Sequence, residues 1–148
     1  MRAVVTRVKE ASVSIDDKVI SGIGNGLLVL LGIKNSDTEK EAKWMADRIC
    51  GLRIFEDNDG KMNINPKDAN AKILIVSQFT LYADVSSRRP GFSDAAGSKV
   101  ALPLYEMVVE ECRLRGFHVE TGEFGADMQI SSINDGPVTI IIESTDQK

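Results

Sequence analysis

The sequence predicts an α+β domain over residues 1–148, with two helices packed on a strongly curved, barrel-like antiparallel sheet. Three features point to it. The first and last thirds alternate or run apolar in strand-length segments. Two segments between them repeat apolar residues at helical spacing, between recognisable caps. No repeat or low-complexity linker divides the chain, and its length suits one core.

Taken in order, "RAVVTRV" reads as a strand and "ASVSI" alternates with period two. "DDK" is a turn, "VISGI" continues the strand pattern, and "GLLVLLGI" is the apolar run of a buried strand. The first helix opens on Ser36 with Glu39 as a capping box. It carries Ala42, Met45, Ala46, Ile49 and Cys50 on one face, and Gly51 can end it. "LRIF" is a short strand. The polar "EDNDGKMNINPKDAN" resembles a calcium loop through Asp57, Asp59 and Gly60, but the terminal position holds Asp68 in place of a bidentate Glu, so a hairpin connection fits better. "KILIV" is buried strand running out into polar residues. The second helix presents Ala101, Leu104, Tyr105, Val108, Val109 and Cys112 before Gly116, and Pro103 marks a start or a bend. "FHVET", "DMQISSIN" and "VTIIIES" return to strands. By composition the "NDGPVT" between the last two is a hairpin turn, since Asn134, Asp135 and Gly136 tolerate positive φ and Pro137 can open a strand.

Composition narrows the function. No apolar run approaches the ~20 residues that span a bilayer, and the amino terminus has no signal-peptide core, so a cytoplasmic, membrane-free protein is expected. The two cysteines, Cys50 and Cys112, fall on apolar helix faces without metal-binding spacing and read as buried thiols; neither metal nor cofactor is expected. The single histidine, His118, has no nucleophile elbow near it. A net charge of −4 argues against coating DNA or a long stretch of RNA, while "SSRRPGF" leaves Arg88 and Arg89 for gripping a short nucleic-acid end. In "SQFTLYAD", Ser77, Gln78 and Thr80 stand where a core strand meets a loop, a common place for site residues and equally an ordinary strand end.

The ordered set "MRAVVTRVKEASVSI", "GLLVLLGI", "LRIFEDNDGKMN", "VSQFTLYAD", "RRPGF" and "FGADMQISSINDGPVT" resembles the D-aminoacyl-tRNA deacylase family across essentially the whole chain. The two family signatures are matched by Ser77, Gln78 and Thr80 and by Gly136, Pro137 and Thr139, and the resemblance adds Asn134 to the residues of substrate binding and chiral selection. The resemblance implies a homodimer that hydrolyses D-aminoacyl-tRNA and Gly-tRNA at the 3′-terminal adenosine, with sites at the subunit interface. It also implies a cis Gly136–Pro137 bond entering the partner's pocket, where backbone carbonyls capture the substrate ammonium and exclude an L side chain. Rejection of that kind lets glycine through, because glycine has no side chain to reject. Arg7 matches an arginine that holds this motif. Gly91, Ser86 and Ser87 depart from the family's basic loop, where Arg88, Arg89 and Phe92 would meet the tRNA end.

No general base is visible beside Thr80. Positioning of ester, water and the ribose 2′-OH, with the amides of Phe79 and Thr80 facing the oxyanion, is therefore preferred to a covalent Thr80 ester. Two alternatives stand beside this reading. One is a non-catalytic binder of tRNA or single-stranded ends. The other is a standalone relative that edits L-amino acids, as the editing domain of archaeal threonyl-tRNA synthetases does; the intact "GPVT" opposes it.

Overall fold

The computed structural model describes residues 1–147. Its organising element is β1 (Arg2–Ile15), one 14-residue strand where the sequence suggests two. One edge of β1 is divided: Ala11–Ile15 pairs with β2 (Lys18–Ile23) and Arg2–Val8 with β3 (Gly26–Gly32), both antiparallel. The other edge pairs along most of its length with β8 (Gln129–Glu143). A strand that serves two partners on one edge and a third on the other must curve, which produces the barrel-like sheet.

The antiparallel expectation holds only for this half. The sheet runs β2-β1-β3-β6-β7, and β6 (Lys72–Ser77) joins β3 in parallel, as β7 (Val119–Thr121) joins β6. The cause is the connections. Helix α1 (Glu39–Gly51) lies on the path from β3 to β6 and α2 (Ser98–Leu114) on the path from β6 to β7, and a crossover through a helix returns the chain in the same direction. Gly26 permits the β3–β6 approach, since a Cβ there would stand 1.9 Å from the Lys72 carbonyl oxygen.

The strands of this sheet separate two cores. Ile73 and Ile75 of β6, with Val5 and Val29, meet the apolar faces of both helices; Leu74 and Val76 face a smaller cluster of Val8, Ala11, Val13, Ile23 and Leu28. Tyr105 of α2 ties helix to sheet by donating its hydroxyl to the Ile75 carbonyl at 2.7 Å. Pro103 falls inside α2, so the helix begins before it. Cys50 and Cys112 are buried free thiols, and the hydrogen bond with the Cys50 sulfur, together with burial, pushes the Cys112 thiol up.

Helix α1 is capped two residues later than the sequence suggests. Thr38 and Glu41 form the box, the Thr38 amide donating to Glu41 at 2.8 Å, because Asp37 before it is drawn inward. Its carboxylate accepts from the Met1 amino group at 2.7 Å and from the Lys34 amide at 2.8 Å. The polar stretch after α1 is a hairpin of β4 (Phe55–Glu56) and β5 (Met62–Ile64). Asp57 accepts from the Asp59 and Lys61 amides at 2.9 and 3.0 Å, so the carboxylate that suggested calcium holds the turn instead.

"NDGPVT" is not a hairpin. Strand β8 continues through it on the same partner: Thr139 pairs with Thr6 and Asn134 with Val8, so Arg7 alone faces Asp135, Gly136, Pro137 and Val138. The unequal count pushes the segment out as a wide bulge, and Lys9 makes a smaller compensating bulge on β1. The Gly136–Pro137 bond is cis, and Gly136 has φ +123°.

Candidate active site

Strand β6 delivers the first constellation. Its last residue is Ser77, after which the Gln78 amide donates to the Leu31 carbonyl at 2.8 Å and the chain tightens into a 3-10 turn, Phe79–Tyr82. Gly32 makes room for this turn: a Cβ there would lie 2.9 Å from Leu81 Cβ and 3.1 Å from the Gln78 carbonyl oxygen. The turn thus rests directly on the end of β3.

Ser77, Gln78 and Phe79 line a cavity of about 400 Å³. Its other walls come from Val76, Ile33, Ala96, Ser98, Ala101, the loop Phe124–Met128 and Ile130 at the start of β8. The volume lies in the range of small-ligand pockets, and the lining is mainly apolar with a few polar groups, the arrangement that orients a ligand. Asp127 is the one ionisable side chain in the lining. Thr80 does not line the cavity; it is exposed on the turn, its hydroxyl within hydrogen-bonding distance of the Gln78 side-chain amide. The amides of Phe79 and Thr80 open a 3-10 turn, where no preceding turn supplies an acceptor.

The basic loop reaches this cavity through aromatic contact. Asp84 and Gly91 exchange backbone hydrogen bonds of 2.8 and 2.9 Å, closing a loop that carries Arg88 and Arg89 on its exposed tip. The Ser86 amide holds the Asp84 carboxyl below its ordinary range. Phe92, just past the loop, meets Phe79 edge to face with ring centroids 5.2 Å apart.

The second constellation lies elsewhere on the chain. Arg7 is 5% exposed beneath the β8 bulge. Its Nη1 donates to the Ile54 carbonyl at 2.7 Å and its Nε to the Asp135 carbonyl at 3.2 Å; Asp135 and Glu56 carboxylates stand at 3.5 and 3.8 Å. Gly136 and Pro137 are exposed above it. Asn134 accepts from the Ser132 hydroxyl at 2.9 Å, and Thr139 faces Thr6 across the ladder. Neither Gly136 nor Pro137 is among the residues lining the cavity beside Ser77. His118 is far more ordinary: exposed, 3.3 Å from Glu120.

Reasoning from sequence missed the wall formed by Phe124, Asp127 and Met128. The signal was present, because "FGADMQ" stands among the matched segments, but no residue type in it announces chemistry. Met128 packs against Gly122 because that residue has no side chain: a Cβ on Gly122 would come 2.6 Å from the Met128 sulfur.

The family model described as D-Tyr-tRNA(Tyr) deacylase matches residues 4–143. The D-aminoacyl-tRNA deacylase of Chlorobaculum parvum is 57% identical, covering 97% of this chain and 98% of its own. That of Thermotoga petrophila is 51% identical over 98% of each. Among solved structures, a c-Myc DNA unwinding element binding protein superimposes with a TM-score of 0.91 at 42% identity, over 97% of this chain and 98% of its own. A probable eukaryotic D-amino acid tRNA deacylase shares the fold, with a TM-score of 0.82 at 17% identity over 95% of this chain and 97% of its own. With a model match over nearly the whole chain and relatives above half identity along its full length, this chain belongs to the D-Tyr-tRNA(Tyr) deacylase family.

Proposed function

We propose that this protein is a D-aminoacyl-tRNA deacylase, a cytoplasmic hydrolase that cleaves the ester between a D-amino acid, or glycine, and the terminal adenosine of tRNA. The observation that carries the reading is the cavity at the end of β6, walled by Ser77 and Gln78 of the family signature and by Phe79 between Gln78 and Thr80. In this reading the adenosine end enters the cavity, Gln78 orients the Thr80 hydroxyl, and the amides of Phe79 and Thr80 face the developing oxyanion. The 2′-OH stands next to the ester and assists the attacking water, so orientation alone supplies several kcal/mol. No metal or cofactor takes part. Arg88, Arg89 and Phe92 meet the tRNA end, where the Phe79–Phe92 contact links loop to cavity.

Chirality is read by the partner subunit's Gly–Pro segment. Two features support a shared site. Gly136 and Pro137 are exposed and stand apart from their own chain's cavity. Strand β8 also leaves Ile130, at the cavity wall, and Ile141 37% and 67% exposed, apolar side chains that a second copy would cover. The segment presents backbone carbonyls to the α-ammonium and leaves no room for an L side chain, with Asn134 and Thr139 flanking it and Arg7 holding it from below.

A mixing experiment tests the sharing. Gln78→Ala subunits combined with Gly136→Ala subunits give heterodimers in which one site carries both defects and the other none. Recovery of D-Tyr-tRNA hydrolysis on mixing supports a site built by two chains; no recovery, with heterodimers demonstrated, places both groups in one chain's site and overturns it. The DNA element named for the 42% identical structure belongs to that protein. For this chain, net charge −4 with two neighbouring arginines on one loop favours a short RNA end over duplex DNA.

A further inference from the structure

The 3-10 turn Phe79–Tyr82 is held at its far end by groups that do not line the cavity. Arg2, on the first rung of the β1–β8 ladder, donates from Nη1 to the Leu81 carbonyl at 2.7 Å and from Nε to Glu143 at 2.5 Å. Its guanidinium lies 4.8 Å from the centre of the Tyr82 ring. The Tyr82 hydroxyl reaches the other Glu143 oxygen at 3.3 Å. Burial and the Glu143 carboxylate push the Tyr82 phenol up, so it stays a neutral donor. Gly32 closes the other side, its missing side chain placing β3 against Leu81, Tyr82 and the Gln78 carbonyl.

We propose that Arg2, acting with Glu143 and Tyr82, is a positioning residue for deacylation: the clamp fixes the turn that carries Phe79 and Thr80. The proposal rests on the reading of Ser77–Thr80 as the reaction centre. A 3-10 turn of four residues has few hydrogen bonds of its own, here Leu81 to Gln78 and Ala83 to Thr80, both 3.2 Å. Its placement therefore depends on outside contacts. Arg2 supplies a fork that a single-point cation lacks: one arm on the turn's backbone, one on a carboxylate anchored in β8. The guanidinium stays outside the cavity, so its loss displaces the oxyanion-facing amides without removing a substrate contact. That predicts a defect in kcat with little change in KM, because amides that meet the transition state contribute there and not in ground-state binding.

The experiment is steady-state hydrolysis of D-Tyr-tRNA by Arg2→Ala, Arg2→Lys, Tyr82→Phe, Glu143→Gln, Gln78→Ala and the Arg2→Ala/Glu143→Gln double variant, each with a thermal melt. Arg2→Ala is expected to lose about 10- to 100-fold in kcat, the scale of a small misplacement of reacting groups, with KM within about twofold. Arg2→Lys should recover part of the loss, since an ammonium reaches one acceptor but not both. The double variant should lose no more than Arg2→Ala, because one clamp is removed once. Unchanged kcat in folded Arg2→Ala, or losses that multiply in the double variant, overturns the clamp. Should Arg2→Ala fail to fold, Tyr82→Phe decides: a severalfold kcat loss with KM unchanged supports the clamp, and wild-type kcat overturns it. Gln78→Ala separates the two levels. Inactive Gln78→Ala beside fully active Arg2→Ala sinks the clamp alone, whereas fully active Gln78→Ala removes the reaction-centre reading and the clamp with it.

Discussion

Replacing Gly136 by Ala should damage both stability and turnover, and the structure indicates why a single methyl has that effect. Its φ of +123° lies where side-chain-bearing residues are strained, at a cost of about 1–3 kcal/mol. The new Cβ would stand 2.9 Å from Val138 Cγ2 and 3.0 Å from Arg7 Nη2. The Val138 side chain can rotate but its backbone nitrogen, also 3.0 Å away, cannot, and Arg7 is buried and committed to the Ile54 and Asp135 carbonyls, so its displacement weakens charge-assisted bonds worth roughly 1.5–3 kcal/mol. Partial relaxation keeps the sum near 2–4 kcal/mol. Urea denaturation should show a lower midpoint with an unchanged slope, and D-Tyr-tRNA hydrolysis should fall in the folded fraction. Gly51→Ala is the control of opposite sign. Gly51 ends α1 with ordinary φ and nothing within 4 Å of an added Cβ, so Ala should stabilise by about 0.4–1 kcal/mol. Equal, negligible effects of the two substitutions on midpoint and activity would refute the reasoning from the Gly136 environment.

Other outcomes follow from the same geometry. Thr80→Ala should retain measurable deacylation, because its hydroxyl is exposed and, among the described residues, partnered only by Gln78; trapping an aminoacyl ester on Thr80 would contradict this. Charged tRNA ending in 2′-deoxyadenosine should be hydrolysed much more slowly, and undiminished hydrolysis would exclude 2′-OH assistance. EDTA should leave turnover unchanged, and loss restored by a divalent ion would bring a metal into the mechanism. Tyr105, raised by burial to about 12 from 10.0, is neutral in both states below pH 10; between pH 10 and about 12 only the unfolded chain ionises, so stability is lost as pH rises through that window. Tyr105→Phe should flatten that limb while costing about 1 kcal/mol at neutral pH through the lost bond to Ile75. An alkaline limb identical to wild type would show that Tyr105 does not titrate there.

Legibility in the sequence tracked how local each cause is. The helices were readable because Ala42, Met45 and Ile49, or Leu104, Val108 and Cys112, repeat within a few residues. The sequence does not settle the α1 cap, because Ser36–Glu39 and Thr38–Glu41 have the same spacing, and the contact of Asp37 with Met1 decides between them. Whether "GLLVLLGI" pairs parallel or antiparallel is invisible in an apolar run; the helical crossovers decide it. "NDGPVT" has the composition of a hairpin, and nothing within it says that both flanks stay on β1. The signature residues at 77–80 and 136–139 were found by resemblance, while the wall at Phe124–Met128 depends on a packing of Met128 against Gly122 that no spacing rule encodes.

Chiral deacylation is decided by the rates at which the purified protein hydrolyses D-Tyr-tRNA, L-Tyr-tRNA and Gly-tRNA under one set of conditions. Rapid release is expected from D-Tyr-tRNA and Gly-tRNA, with L-Tyr-tRNA decaying at its spontaneous rate. Binding of charged tRNA without acceleration of any ester, or equal rates for the D and L esters, would contradict it.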